Sequence, residues 1–163
     1  MSRTRETGIG SHFLAAAICG IAWRRGRYCS RLALVLGLLE AFLCLDAVFN
    51  WRWLLHAFLM GMAQQRHVYE QRSLPQEIAL SVVCAAAIAA VILGFRRFRN
   101  NAGAQLAIAG AAISVACWFA ETISLHASDA ILQSAEGPVM TVAVLWILSS
   151  AITAVGVLWM SAR

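Results

Sequence analysis

Residues 40 to 72 read EAFLCLDAVFNWRWLLHAFLMGMAQQRHVYEQR, and the way this stretch divides decides the fold. Up to Asn50 it is an apolar run interrupted by two acids, Glu40 and Asp46; from Trp51 onward it is dense in Trp, His and Arg. At about 100° per residue, Arg52, His56, Ala63, His67 and Glu70 share one narrow wedge, while Trp51, Leu54, Phe58, Met62 and Tyr69 take the opposite side. That is an amphipathic helix with an aromatic, sulfur-rich apolar face, the pattern of a segment lying in a membrane interface. The run before it has the character of a membrane span, and an acid inside a span is costly enough to require a partner or a task.

Composition agrees. The chain has 163 residues, 61% hydrophobic and only 13% charged, which is too apolar for a water-soluble domain of this length. All 13 basic residues are Arg and the formal net charge is +5. A basic balance invites a nucleic-acid reading, but here the arginines cluster beside apolar runs, and membrane topology explains them better than an RNA or DNA partner. The five cysteines, Cys19, Cys29, Cys44, Cys84 and Cys117, include no C-x-x-C pair, which argues against a disulfide framework and a zinc ribbon.

The expected fold is an all-α integral membrane protein of one domain. It has four transmembrane helices, at about 32–50, 77–95, 104–125 and 139–160, arranged as a bundle. An outer amphipathic helix at about 51–72 joins spans one and two. A short helix at 12–23 precedes them and is read as interfacial or re-entrant, because it falls short of the roughly 20 residues a span needs. It has the apolar core of a signal peptide, but Arg24, Arg25 and Arg27 stand where a small-residue cleavage site should be. Pro75 is read as ending the amphipathic helix, with Ser73 and Gln76 at capping-box spacing for the next. Small residues four apart, Ala85 with Ala89, Ala86 with Ala90, Gly103 with Ala107 and Gly110 with Ser114, predict that spans two and three form a tight hairpin.

The arginines set orientation. Arg3, Arg5, Arg24, Arg25, Arg27, Arg31, Arg96, Arg97, Arg99 and Arg163 are assigned to one side; only Arg52, Arg66 and Arg72 fall on the other. The positive-inside rule then places both termini in the cytoplasm, in a cell inner membrane, with outer segments at about 51–76 and 126–138. If 12–23 did span, the first residues would change sides and the rest would stay.

With this topology the unusual polar residues gather in the outer half of the membrane. Glu40, Asp46 and Glu121 are the acid–base candidates, as intramembrane carboxylates able to carry protons. Arg52, Arg66, Arg72 and Glu70 are the ligand-binding candidates, since arginine forks match phosphate oxygens of a lipid or other amphiphile. His56, His67, His126 and Asp129 are the metal candidates, a donor set that zinc, iron or copper would accept. Haem is disfavoured, because His12 is expected on the cytoplasmic side and cannot face the other histidines. Three readings compete: interhelical structural pairs, an outward-facing binding or catalytic site, and a polar and aromatic surface of an accessory subunit that docks a larger membrane complex. Membrane lipids are partners in all three.

The topology resembles that of four-span disulfide-forming membrane oxidoreductases. Those need a cysteine pair in an outer loop, and neither 51–76 nor 126–138 contains a cysteine, so the likeness implies no shared chemistry.

Overall fold

The structure, a computed structural model, describes residues 3–26, 29–65, 73–123, 132–134 and 140–162. Among these the chain is helical throughout: α1 (Arg3–Arg24), α2 (Ser30–Phe49), α3 (Trp51–Gln65), α4 (Ser73–Arg97), α5 (Ala102–Ile123) and α6 (Thr141–Ser161). α2, α4, α5 and α6 are each long and apolar enough to cross a membrane, which makes this a multi-pass membrane protein. Their bounds agree with the expected spans to within a few residues.

The first departure is α1. It begins at Arg3 rather than His12, runs for 22 residues, and packs along α2 and α6 instead of lying apart. Its inward stripe is Gly8, His12, Ala15, Cys19 and Ala22, small or polar residues at helical spacing that let it sit close to its neighbours. Arg5 reaches carbonyls at the end of α2, Cys44 reaches Ile9, and Gly37 faces Cys19, so α1 and α2 are antiparallel over their whole length. Arg3 and Arg5 therefore stand at the Arg52 end of the bundle, opposite Arg24 and opposite the close of α6.

The second departure concerns the small residues. Gly103, Gly110 and Ser114 do lie at a close helix contact, but the partner is α6 rather than α4. A Cβ on Gly110 would meet the Thr153 backbone nitrogen at 2.6 Å, one on Gly103 would strike the Met160 backbone, and one on Gly156 would strike the Ala107 backbone. The Ser114 and Ser149 hydroxyls bond across this contact at 2.8 Å. In lipid, where no hydrophobic effect drives helices together, such close packing and interhelical hydrogen bonding carry the association.

α4 buries none of its residues and packs only on α5. Ala85, Ala86, Ala89 and Ala90 are all exposed. The core is built by α1, α2, α5 and α6 through Cys19, Ala22, Ala33, Leu36, Ala104, Ala107, Ala111, Val157 and Met160. The buried core of the bundle thus lies among α1, α2, α5 and α6, and α4 joins it through α5 alone. Pro75 lies in the first turn of α4, where its missing N–H costs nothing. Gln76 Nε2 donates to the Ile123 carbonyl at 2.9 Å, tying α4 to the end of α5. At the far end Asn101 caps α5, its Oδ1 accepting from Ala104 N at 3.0 Å.

Candidate functional site

The α2–α3 junction organises the polar residues. Asn50 ends α2 in the left-handed conformation, φ 62°, which Asn tolerates better than most side chains, and its N–H bonds the Asp46 carbonyl at 2.6 Å. One residue later α3 begins. Asp46 is fully buried, and its Oδ1 accepts the backbone N–H of Arg52 at 2.9 Å, so an acid from α2 caps the first turn of α3.

Arg52 then turns inward. Its Nη1 donates to Glu121 Oε2 on α5 at 2.8 Å and stands 3.6 Å from Asp46 Oδ2. Its guanidinium lies 4.5 Å from the centre of the Trp146 ring on α6, a cation–π contact. One arginine thereby joins α2, α3, α5 and α6. The polar wedge of α3 faces the protein, and the apolar side, with Leu54 and Phe58, is exposed. His56, further along that wedge, has Nδ1 3.1 Å from the Thr122 carbonyl and its ring edge-on to Trp53.

Glu40 does not join this cluster. It is fully buried and paired with His12 of α1, Nδ1 to Oε2 at 2.7 Å, while Glu40 Oε1 has no partner among the described residues. His12, expected at the cytoplasmic side, is brought level with Glu40 by the antiparallel α1, a pairing the sequence reading did not foresee. The two groups share one buried hydrogen bond, and that answers the cost of placing an acid in the span. Trp146 stands between the two polar groupings, 6.4 Å from the His12 ring on one side and against Arg52 on the other.

Beside Arg52 is a cavity of about 270 Å³. Its polar lining comes from Thr4, Arg5, Asn50, Arg52, Glu121 and Gln133, and its apolar lining from Trp53, Leu132, Met140, Val142 and Trp146. Arg5 Nε donates to the Ala47 carbonyl at 2.8 Å and Nη2 to that of Val48, which caps the end of α2 with a cation.

Of the residues expected from sequence, Asp46, Arg52 and Glu121 come together, Glu40 pairs elsewhere, and His56 lies on the wedge of α3 next to them. Arg66, His67, Glu70, Arg72, His126 and Asp129 lie outside the described residues. Among the described residues, no three of His, Cys, Asp and Glu gather as a group that could hold a metal. Three contributors went unseen: His12, Arg5 and Trp146. The signal for the first two was the stripe Gly8, His12, Ala15, Cys19, Ala22, whose period extends α1 past His12 towards Arg3. Trp146 carries no such signal, since a Trp on an apolar span reads as packing.

No family model matches the chain, and neither a curated protein nor a solved structure does.

Proposed function

We propose that this multi-pass membrane protein binds a small amphiphile in the cavity beside Arg52. The observation that carries this reading is the divided lining of that cavity: Thr4, Arg5, Asn50 and Gln133 offer polar groups, and Leu132, Met140, Val142 and Trp146 offer apolar surface, within one enclosure of about 270 Å³. A polar head and a short apolar stem fit such a division. Asp46 and Glu121 are engaged with Arg52, which supports a positioning role for them over acid–base catalysis.

The membrane is the cell inner membrane in this reading. Arg24, Arg25, Arg31, Arg96, Arg97 and Arg99 mark the cytoplasmic end, and α1 crosses with α2, so the Arg3 end and the cavity face outward. His12, a polar residue in the middle of α1, is accommodated by Glu40.

The test is native mass spectrometry of the full chain released from detergent, beside Met140→Trp, which adds bulk to the cavity lining. Bound amphiphile on the unmodified chain that disappears in the variant is the expected result. A chain free of bound amphiphile, or one whose load Met140→Trp leaves unchanged, overturns the reading.

One observation favours the accessory-subunit alternative. α4 buries nothing within the chain, and its exposed Ala86 and Ala90 border a groove of about 400 Å³ with α2 and α5. Under that reading Ala86→Leu and Ala90→Leu leave folding intact and break an assembly; under the first they leave amphiphile binding unchanged.

A further inference from the structure

Two arginines line the cavity, and their surroundings differ. Arg52 is held by two carboxylates, Asp46 and Glu121, and by the face of Trp146. Arg5 is half-buried, and among the described residues no carboxylate lies within ion-pairing distance of it. Its hydrogen-bond acceptors are the Ala47 and Val48 carbonyls. Carbonyls at a helix C-terminus present about half a negative charge in total, so they offset only part of a guanidinium withdrawn from water. Arg5 uses Nε and Nη2 on those carbonyls, and Nη1 has no protein acceptor among the described residues. Around it the lining supplies neutral polar groups, Thr4, Asn50 and Gln133, and an apolar wall of Leu132, Met140 and Val142; the one acid among the described lining residues, Glu121, is engaged by Arg52 at 2.8 Å.

We infer that the head of the bound molecule is an oxyanion of the phosphate class, held by Arg5, while Arg52 acts as a post that keeps Trp146 and the start of α3 in place. A guanidinium bonds phosphate oxygens through short, charge-assisted hydrogen bonds, and in a half-buried site these are stronger than in water. The inference rests on the amphiphile reading above and adds the charge of the head and the residue that reads it. The same chemistry belongs to a phospholipid head and to a free phosphate, and these two sources separate in the experiment.

The full chain in a neutral maltoside detergent is titrated with dihexanoyl phosphatidic acid, dihexanoyl glycerol and inorganic phosphate, with Trp fluorescence as the readout. The expected result is phosphatidic acid binding at least about tenfold more tightly than the uncharged glyceride. Arg5→Gln should abolish that preference, and Arg5→Lys should restore most of it. Displacement of phosphatidic acid by inorganic phosphate at similar concentrations assigns the site to free phosphate; its failure to compete assigns it to the lipid head. Equal affinity for the charged and uncharged lipids, or a preference that survives Arg5→Gln, overturns the inference and leaves the amphiphile reading standing. If none of the probes binds, both fall. Because Arg5 also caps α2, a thermal midpoint accompanies each variant. Should Arg5→Gln fail to fold, salt decides in its place: a preference undiminished at about 1 M salt rules out the ionic head.

Discussion

Trp146 occupies the space that a side chain on Gly8 would fill: a Cβ there would lie 2.5 Å from the indole ring. The ring is fixed on its other side by Arg52, so it has little room to retreat. Gly8→Ala should cost about 1–3 kcal/mol, the usual range for an overpacked contact, and lower the thermal midpoint in detergent. Gly10→Ala on the same helix meets nothing within 4 Å and should be neutral or slightly stabilising, since Ala is the better helix former. Equal midpoints for the two variants would show that α1 does not pack as described.

The α5–α6 contact makes a stronger demand, because the obstacles are backbone atoms. A Cβ on Gly110 would fall 2.6 Å from Thr153 N and 2.7 Å from the Ser149 carbonyl oxygen, and neither can rotate aside. Gly110→Leu should force the helices apart and also break the Ser114–Ser149 hydrogen bond, itself worth only about 0.6 kcal/mol in a membrane. Ser114→Ala should therefore be mild and Gly110→Leu severe. Comparing their unfolding in detergent and denaturant checks the order.

The His12–Glu40 pair invites a double-mutant cycle. His12→Leu alone leaves Glu40 buried without a partner, and Glu40→Leu alone strands the imidazole; each should cost at least about 1–3 kcal/mol, the penalty for a buried polar group left unpaired. The double replacement should recover most of that loss, since two apolar residues of similar volume suit the site. Additive costs would mean that the two side chains do not meet.

Asn50 tests the junction that aims α3. With φ at 62°, Asn50→Gly should be close to neutral, whereas Asn50→Val should cost about 1–2 kcal/mol and loosen α3 from Asp46. Faster proteolysis within α3 in the Val variant, but not in the Gly variant, is the expected outcome.

Sidedness follows from α1. If it crosses the membrane beside α2, reporters fused before Arg3 and after Ala162 should report opposite sides, with the second in the cytoplasm. Two reporters active on the same side would return α1 to the interface.

Much of this was legible in one dimension. Twenty-residue apolar runs and arginines at their ends identify α2, α4, α5 and α6, because the thickness of the hydrocarbon core sets the length of anything that crosses it. The wedge of Arg52 and His56 was legible too, since it follows from helical period alone. What the period does not say is which helix a face meets. Gly103, Gly110 and Ser114 marked a close contact, yet Ala85 and Ala89 carried the same small-residue pattern and face outward, so only the packed structure could choose α6 over α4. The same holds for His12 and Glu40. They are far apart in sequence, and each reads alone as an expensive residue until an antiparallel α1 sets them 2.7 Å apart. The sequence determined that this chain lives in a membrane and where its four long apolar helices lie, because solvent and bilayer act on each segment separately. The tertiary structure decided which helices form the core, how the buried charges pair and where a cavity opens, because those depend on distances between segments that no local pattern encodes.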